Sequence, residues 1–182
     1  MARIPYFDLD QASPTIREMV ASRPPLNVYR MVAHGGPSAE GFLALGNAIL
    51  RRSELDPVLR ELVILRVGAL CGSHYEVFQH RRVAAQAGVP PAKIEAVLAR
   101  PEEPPAAGDF SALEHLVLRY TDAVVRSVKA PAALFDAVSA QLPPRQLVEL
   151  TMAIGFYMLV SRLLENFEVD LEGHEAGPTR PA

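Results

Sequence analysis

The segment Asp56-Pro57-Val-Leu-Arg60-Glu61-Leu-Val-Ile-Leu-Arg66-Val-Gly-Ala-Leu70 constrains the fold more than any other part of the chain. Asp56 is a good helix-capping residue and Pro57 suits the first helical position, so a helix over 57–70 is predicted. Its apolar residues fall on nearly every side, and a helix without a polar face must be wrapped by other elements. The run therefore belongs at the centre of the protein. Glu61 lies inside it, and a buried carboxylate is costly unless it is paired.

Elsewhere the apolar residues recur at three and four rather than at two, so no strand is predicted and the fold class is all-α. Prolines, capping residues and glycines place further helices over 14–22, 26–34, 39–52, 72–87, 91–99, 111–128, 131–142 and 144–167. Helices 57–70 and 72–87 form a central antiparallel hairpin, and Gly88 can close the second in a left-handed conformation. Ser111 followed three residues on by Glu114 is a capping box. Pro101-Glu-Glu-Pro-Pro-Ala-Ala-Gly108 reads as a surface loop. Arg60-Glu-Leu-Val-Ile-Leu65 is echoed by Arg145-Gln-Leu-Val-Glu-Leu150 at four of six positions, as a duplicated helical hairpin would leave it. In that register Glu165 stands where His80 does, so site chemistry would belong to the first copy alone. The tail over 173–182 is expected to fray.

At 182 residues the chain can fill one core, and a single domain over 1–182 is expected. The 18 basic and 21 acidic residues form no basic stripe and tryptophan is absent, so neither nucleic acid nor a membrane is expected as a partner. Cys71 is the single cysteine, which excludes an internal disulfide and a cysteine-based metal knuckle and suits a reducing compartment. The opening residues are too acidic for a signal peptide, and no stretch approaches the ~18 apolar residues of a membrane span. A cytoplasmic setting is the expectation.

Winding residues 72–87 as a helix puts Ser73, Glu76, Val77, His80 and Ala84 on one stripe, with Tyr75, Gln79 and Arg82 round the other side. Glu76 lies one turn before His80, where a carboxylate can orient an imidazole and raise its proton affinity for general acid/base work. The same spacing also serves as a surface pair worth ~0.2–0.5 kcal/mol. Glu61 has three possible partners: a histidine from the second hairpin helix, a small solvent gap, or an arginine such as Arg66 or Arg82. Cys71 sits at the hairpin turn, where a helix N-terminus would lower a thiol's pKa, although a small buried hydrophobe fits as well. His74 and Tyr75 either reach a pocket mouth or pack. Glu61, Glu76 and His80 lack the second positioned histidine of a metal site, so no metal is expected.

The run from Glu61 into Tyr75-Glu76-Val-Phe-Gln-His80 resembles the carboxymuconolactone decarboxylase family, which includes the alkylhydroperoxidase D-like proteins. The resemblance takes in Gln146-Leu-Val-Glu149-Leu and Gly155-Phe-Tyr157, and covers residues 39–171. It implies a helical bundle of the alkylhydroperoxidase D-like type and a homo-oligomer. In the peroxidase branch a glutamate precedes a Cys-x-x-Cys and a histidine, spacings that fall here on Glu61, then Ser73 and Glu76, then His80. Both redox cysteine positions are replaced, and a two-cysteine peroxidase cycle has no resolving thiol. The remaining Glu76-x-x-x-His80 looks like the decarboxylase-type branch.

The resemblance thus implies cofactor-independent acid/base chemistry, decarboxylation or a related proton transfer, on a small carboxylated or lactone-type compound. His80 would act as acid or base, tuned by Glu76 and Glu61, with Ser73, Cys71 and Tyr75 around the substrate. Arg66 would hold a substrate carboxylate if it faces the pocket. Two alternatives stay open: a single-cysteine, peroxiredoxin-type activity in which Cys71 becomes a sulfenic acid restored by an outside thiol, and a non-catalytic helical oligomer that binds a ligand or partner.

Overall fold

A computed structural model of the chain describes residues 1–173. Among these there are nine α-helices and no strand: α1 (Pro14–Ala21), α2 (Asn27–Val32), α3 (Pro37–Arg51), α4 (Pro57–Leu70), α5 (His74–Gln86), α6 (Pro91–Leu98), α7 (Ala112–Ser127), α8 (Ala132–Ser139) and α9 (Pro144–Phe167). The start signals operate as their chemistry requires. Ser13 accepts the Ile16 amide, Asp56 accepts the amides of Val58 and Leu59, and Ser111 with Glu114 forms a reciprocal capping box. Gly88 ends α5 at φ +95°, a conformation an L side chain resists. The tail beyond Gly173 lies outside the described residues.

The helices pack as two compact units, Met1–Ala48 with the segment beginning at Leu163, and Ile49–Arg162. In the first, the Tyr6 hydroxyl donates to Asp170 Oδ2 at 3.1 Å and accepts the Asp170 amide at 2.8 Å. Asn27, fully buried on α2, donates its side-chain amide to the Asp170 carbonyl at 3.1 Å. Buried polar groups here are thus satisfied by one another.

In the second unit α4 packs against α5, α6 and α7. Every residue from Leu59 to Gly68 is buried, including Arg60, Glu61 and Arg66, as the absence of a polar face demands. Leu62 and Leu65 join Ala84, Ile94, Val97 and Leu118 in one apolar cluster, each large side chain contributing roughly 1.5–3 kcal/mol by leaving water. Glu149 fixes the approach to α4, accepting the Ser53 hydroxyl and Glu54 amide at 2.8 Å and the Leu55 amide at 3.0 Å.

Two expectations change. α9 is one continuous 24-residue helix, and in the register of the echo its residues 156–158 stand where Cys71, Gly72 and Ser73 make the hairpin turn. The echo is therefore a likeness between two helix starts, not a second hairpin. α9 also carries a stretch of mean hydropathy 1.6, long and apolar enough to cross a membrane, although the sequence suggested no such span. Half of that stretch is buried by the protein itself, as in the core helix of a globular fold.

Candidate active site

Glu61 enters the site from the second turn of α4, and Glu76 and His80 from consecutive turns of α5. The two helices approach closely because Gly68 has no Cβ: one added there would stand 3.2 Å from Val77 Cγ2 and 3.4 Å from Glu76 Cβ. This crossing presses the stripe bearing Ser73, Glu76, His80 and Ala84 onto α4, and all four are buried. Tyr75 is buried too, while His74 remains exposed, so Tyr75 packs and does not face solvent.

His80 Nδ1 lies 2.8 Å from Glu61 Oε2. A carboxylate only accepts, so Nδ1 carries the proton and Nε2 is turned toward Glu76, whose Oε2 is 3.5 Å away. Glu61 is wholly buried, and its Oε1 also receives Arg60 Nε at 3.3 Å. The Tyr157 ring meets the imidazole edge to face, with centroids 5.0 Å apart. Glu76 Oε2 and the Ser73 hydroxyl are buried without a hydrogen-bond partner. Two such orphans three residues apart are costly for stability alone, and costly groups mark places where a reacting molecule supplies the missing partner.

The electrostatics follow from burial and neighbours. Burial pushes the Glu76 carboxyl up, the charge of Glu61 adds to the rise, and His80 only partly offsets it. Burial pulls His80 down, but the hydrogen bond to Glu61 and the charges of Glu76 and Glu61 outweigh it and leave the imidazole above its ordinary value. The result is a line of three groups that can exchange a proton, the imidazole between two carboxyl groups, closed to bulk water.

The other expected site residues are placed elsewhere or differently. Arg66 is wholly buried and bound to Asp122, Nε to Oδ1 at 2.7 Å and Nη2 to Oδ2 at 2.8 Å. Its remaining donors reach the carbonyls of Glu103 at 2.6 Å and Val97 at 3.3 Å. The condition for holding a substrate carboxylate, a guanidinium facing a pocket, is not met. Arg66 instead ties α4 to α7 and to the proline-rich loop, which a surface reading of that loop did not anticipate. Cys71 caps the C-terminal end of α4, and α5 starts only at His74, so no helix N-terminus reaches the thiol. Burial pushes that thiol up, against the pull of Arg162 and Ser161.

Arg60 and Tyr157 were not anticipated. Neighbours along a helix do not face one another, so Arg60 gave no spacing signal toward Glu61, and nothing local couples position 157 to position 80. Among the described residues no group of three or more His, Cys, Asp or Glu side chains is arranged to hold a metal ion.

Solved structures share this fold. A peroxidase-related protein from Ralstonia eutropha, described as an alkylhydroperoxidase AhpD core, aligns over 94% of this chain and 93% of its own, with a TM-score of 0.81 and 17% identity. A protein from Agrobacterium tumefaciens, described as a putative antioxidant defence protein AhpD, aligns over 81% and 96%, with a TM-score of 0.65 and 23% identity. A variant of the debrominase Bmp8 in complex with 2,3,4-tribromopyrrole aligns over 95% of both chains, with a TM-score of 0.74 and 16% identity. No curated protein matches significantly. Residues 37–113 match the carboxymuconolactone decarboxylase family model, and that stretch holds α4, α5, Glu61, Glu76 and His80. The central region of the chain is thus similar to the carboxymuconolactone decarboxylase family, in a fold shared with AhpD-like proteins.

Proposed function

We propose that Glu61, His80 and Glu76 carry cofactor-independent acid/base chemistry on a small carboxylated or lactone-type compound, with decarboxylation as the favoured reaction. The supporting observation is an imidazole held between two buried carboxyl groups, one hydrogen-bonded at 2.8 Å and the other 3.5 Å away with an unpartnered oxygen. In decarboxylation the bond from carbon to the departing carboxylate breaks, carbon dioxide leaves, and the electron pair is delocalised into the adjacent carbonyl system. The Glu76 carboxyl, favoured in its protonated form by burial, returns a proton to that carbon. His80 then resupplies Glu76 through Nε2, while Glu61 offsets the imidazolium charge. The Ser73 hydroxyl is available to donate to the substrate carbonyl as charge builds there. Because the groups are buried, a substrate reaches them only by displacing side chains around them.

The fold's appearance in a debrominase with a small heterocycle bound supports a small organic substrate. A thiol mechanism draws less support, since Ser73 and Glu76 occupy the redox positions and the raised pKa of Cys71 lowers its thiolate fraction. A homo-oligomer is supported by Val148, Met152 and Leu159, exposed along α9 at coiled-coil spacing. A cytoplasmic setting is supported by the single cysteine.

The test is carbon dioxide release from a panel of small lactone carboxylic acids by the parent protein, His80→Gln and Glu76→Gln. Each substitution is expected to lower turnover by at least ~100-fold with helicity unchanged. Variants that turn over as fast as the parent, or a parent inert to the whole panel, would remove this function.

A further inference from the structure

Glu61 is one carboxylate with two buried partners. Its Oε2 accepts from His80 Nδ1 at 2.8 Å, and its Oε1 accepts from Arg60 Nε at 3.3 Å. We infer that Arg60 is a positioning residue of the acid/base site, which holds the Glu61 carboxylate toward His80 and takes up part of its negative charge. The inference rests on the reading of Glu61, His80 and Glu76 as an acid/base site, and adds the cation that sets how firmly this site holds its proton.

The placement of Arg60 is the first reason. Residues next to each other along a helix do not face one another, so the guanidinium reaches Glu61 only by bending across the surface of α4. The Arg60 side chain is left 11% exposed and that of Glu61 not at all. Among the described residues Glu61 is the one acid within ion-pair distance of Arg60. A cation withdrawn from water in this way offsets its desolvation chiefly through the carboxylate that His80 also uses. Arg66, on the same helix, shows what a tie for stability looks like: two of its nitrogens reach Asp122, and it also donates to backbone carbonyls. Arg60 makes a single side-chain hydrogen bond, and makes it inside the site.

The electrostatics are the second reason. The charged and titratable groups around the imidazole are Glu61 and Arg60 from α4, Glu76 from α5 and, ring against ring, Tyr157 from α9. Burial lowers the proton affinity of His80, and the hydrogen bond to Glu61 with the charges of Glu76 and Glu61 raises it. Arg60, the permanent cation among these groups, acts against that rise. The direction matters for the step His80 performs. Once Glu76 has given its proton to the substrate carbon, the Nε2–H bond of the imidazolium breaks, the proton passes to Glu76 Oε2, and a neutral ring remains with its Nδ1–H on Glu61. An imidazolium facing two carboxylates and no cation would hold that proton too firmly, since proton transfer is most effective where the donor's affinity matches the working pH.

The test follows His80 through its carbon-bound protons in an NMR titration of the parent, Arg60→Gln, Arg60→Met and Arg60→Lys. Removing the charge, with Gln or with Met, is expected to raise the His80 pKa, and Arg60→Lys is expected to keep it nearer the parent's. A role in packing alone would leave the three variants alike. The methionine variant stands in should the glutamine variant fail to fold. With a substrate from the lactone carboxylic acid panel, kcat of the Gln and Met variants at pH 7 should fall about tenfold with KM nearly unchanged, and the alkaline limb of the pH profile should move up with the His80 pKa. A parent inert to the panel removes the acid/base function and leaves the titration standing. A His80 pKa at or below the parent's in both neutral variants, or an equal rise in all three, overturns the role of Arg60 whatever the turnover.

Discussion

His80 Nδ1 and Glu61 Oε2 stand 2.8 Å apart with both side chains buried, which joins the two helices of the central hairpin through one polar contact inside an apolar interface. A pair in such surroundings is strongly directional, because neither group can turn to water instead. It also decides which imidazole nitrogen faces Glu76.

Glu61→Gln keeps the shape and removes the charge. The hydrogen bond and charge of Glu61 help to hold the His80 pKa up, so the substitution is expected to lower it, as read from the imidazole carbon-bound protons by NMR titration. Turnover should fall ~100-fold with it. A His80 titration identical to the parent's would show that Glu61 does not tune the ring.

The pH dependence of stability follows from two shifts of the same sign. Glu76 is raised above 4.5 by burial and Glu61, and His80 above 6.5 by Glu61 and Glu76 against burial. A raised folded pKa means the native state binds the proton more tightly. Its contribution is complete below the unfolded pKa and is lost as pH rises through the folded one. In urea unfolding, the stability of the parent relative to Glu76→Gln should therefore decline as pH climbs from 4.5 through the folded pKa of Glu76. Relative to His80→Gln it should decline above 6.5. A flat or rising difference in both comparisons contradicts the buried arrangement.

Asp122→Asn leaves the wholly buried Arg66 guanidinium without its counter-charge. Breaking a buried pair from one side typically costs about 3–5 kcal/mol, and a loss of that size is expected in chemical denaturation. Replacing both partners, with Arg66→Met and Asp122→Leu, should recover much of it. The His80 titration should be unmoved, which distinguishes a structural tie from a substrate anchor.

Val128→Gly should stabilise the protein. Val128 caps α7 at φ +65° with its side chain 87% exposed, so the β-branched residue bears a conformational cost and gains little burial in return. Removing that cost is worth about 1 kcal/mol, or roughly 2–4 °C in Tm for a domain of this size. No rise in thermal midpoint would count against this strain.

Much of the site was legible because its geometry is local. Glu76 and His80 share a helix stripe by spacing alone, and the apolar run around Glu61 showed that its carboxylate is buried. The same local logic misled where a long side chain chooses among distant partners. Arg66 was equally able to face a cavity or a buried acid, and Asp122 lies 56 residues away. The α5 N-terminus could not be drawn to the residue, and two positions of error placed Cys71 at the wrong pole of a helix dipole.

The sequence by itself determined the helices, their caps and the burial of α4, because periodicity and capping are properties of neighbouring residues. The tertiary structure alone decided that Glu61 takes His80 rather than Arg66 or Arg82, that Tyr157 closes over the imidazole, and that Arg66 takes Asp122. Those pairings depend on how helices cross, set here by a missing Cβ at Gly68 and by the packing of three helices around α4. No spacing along the chain encodes such a crossing.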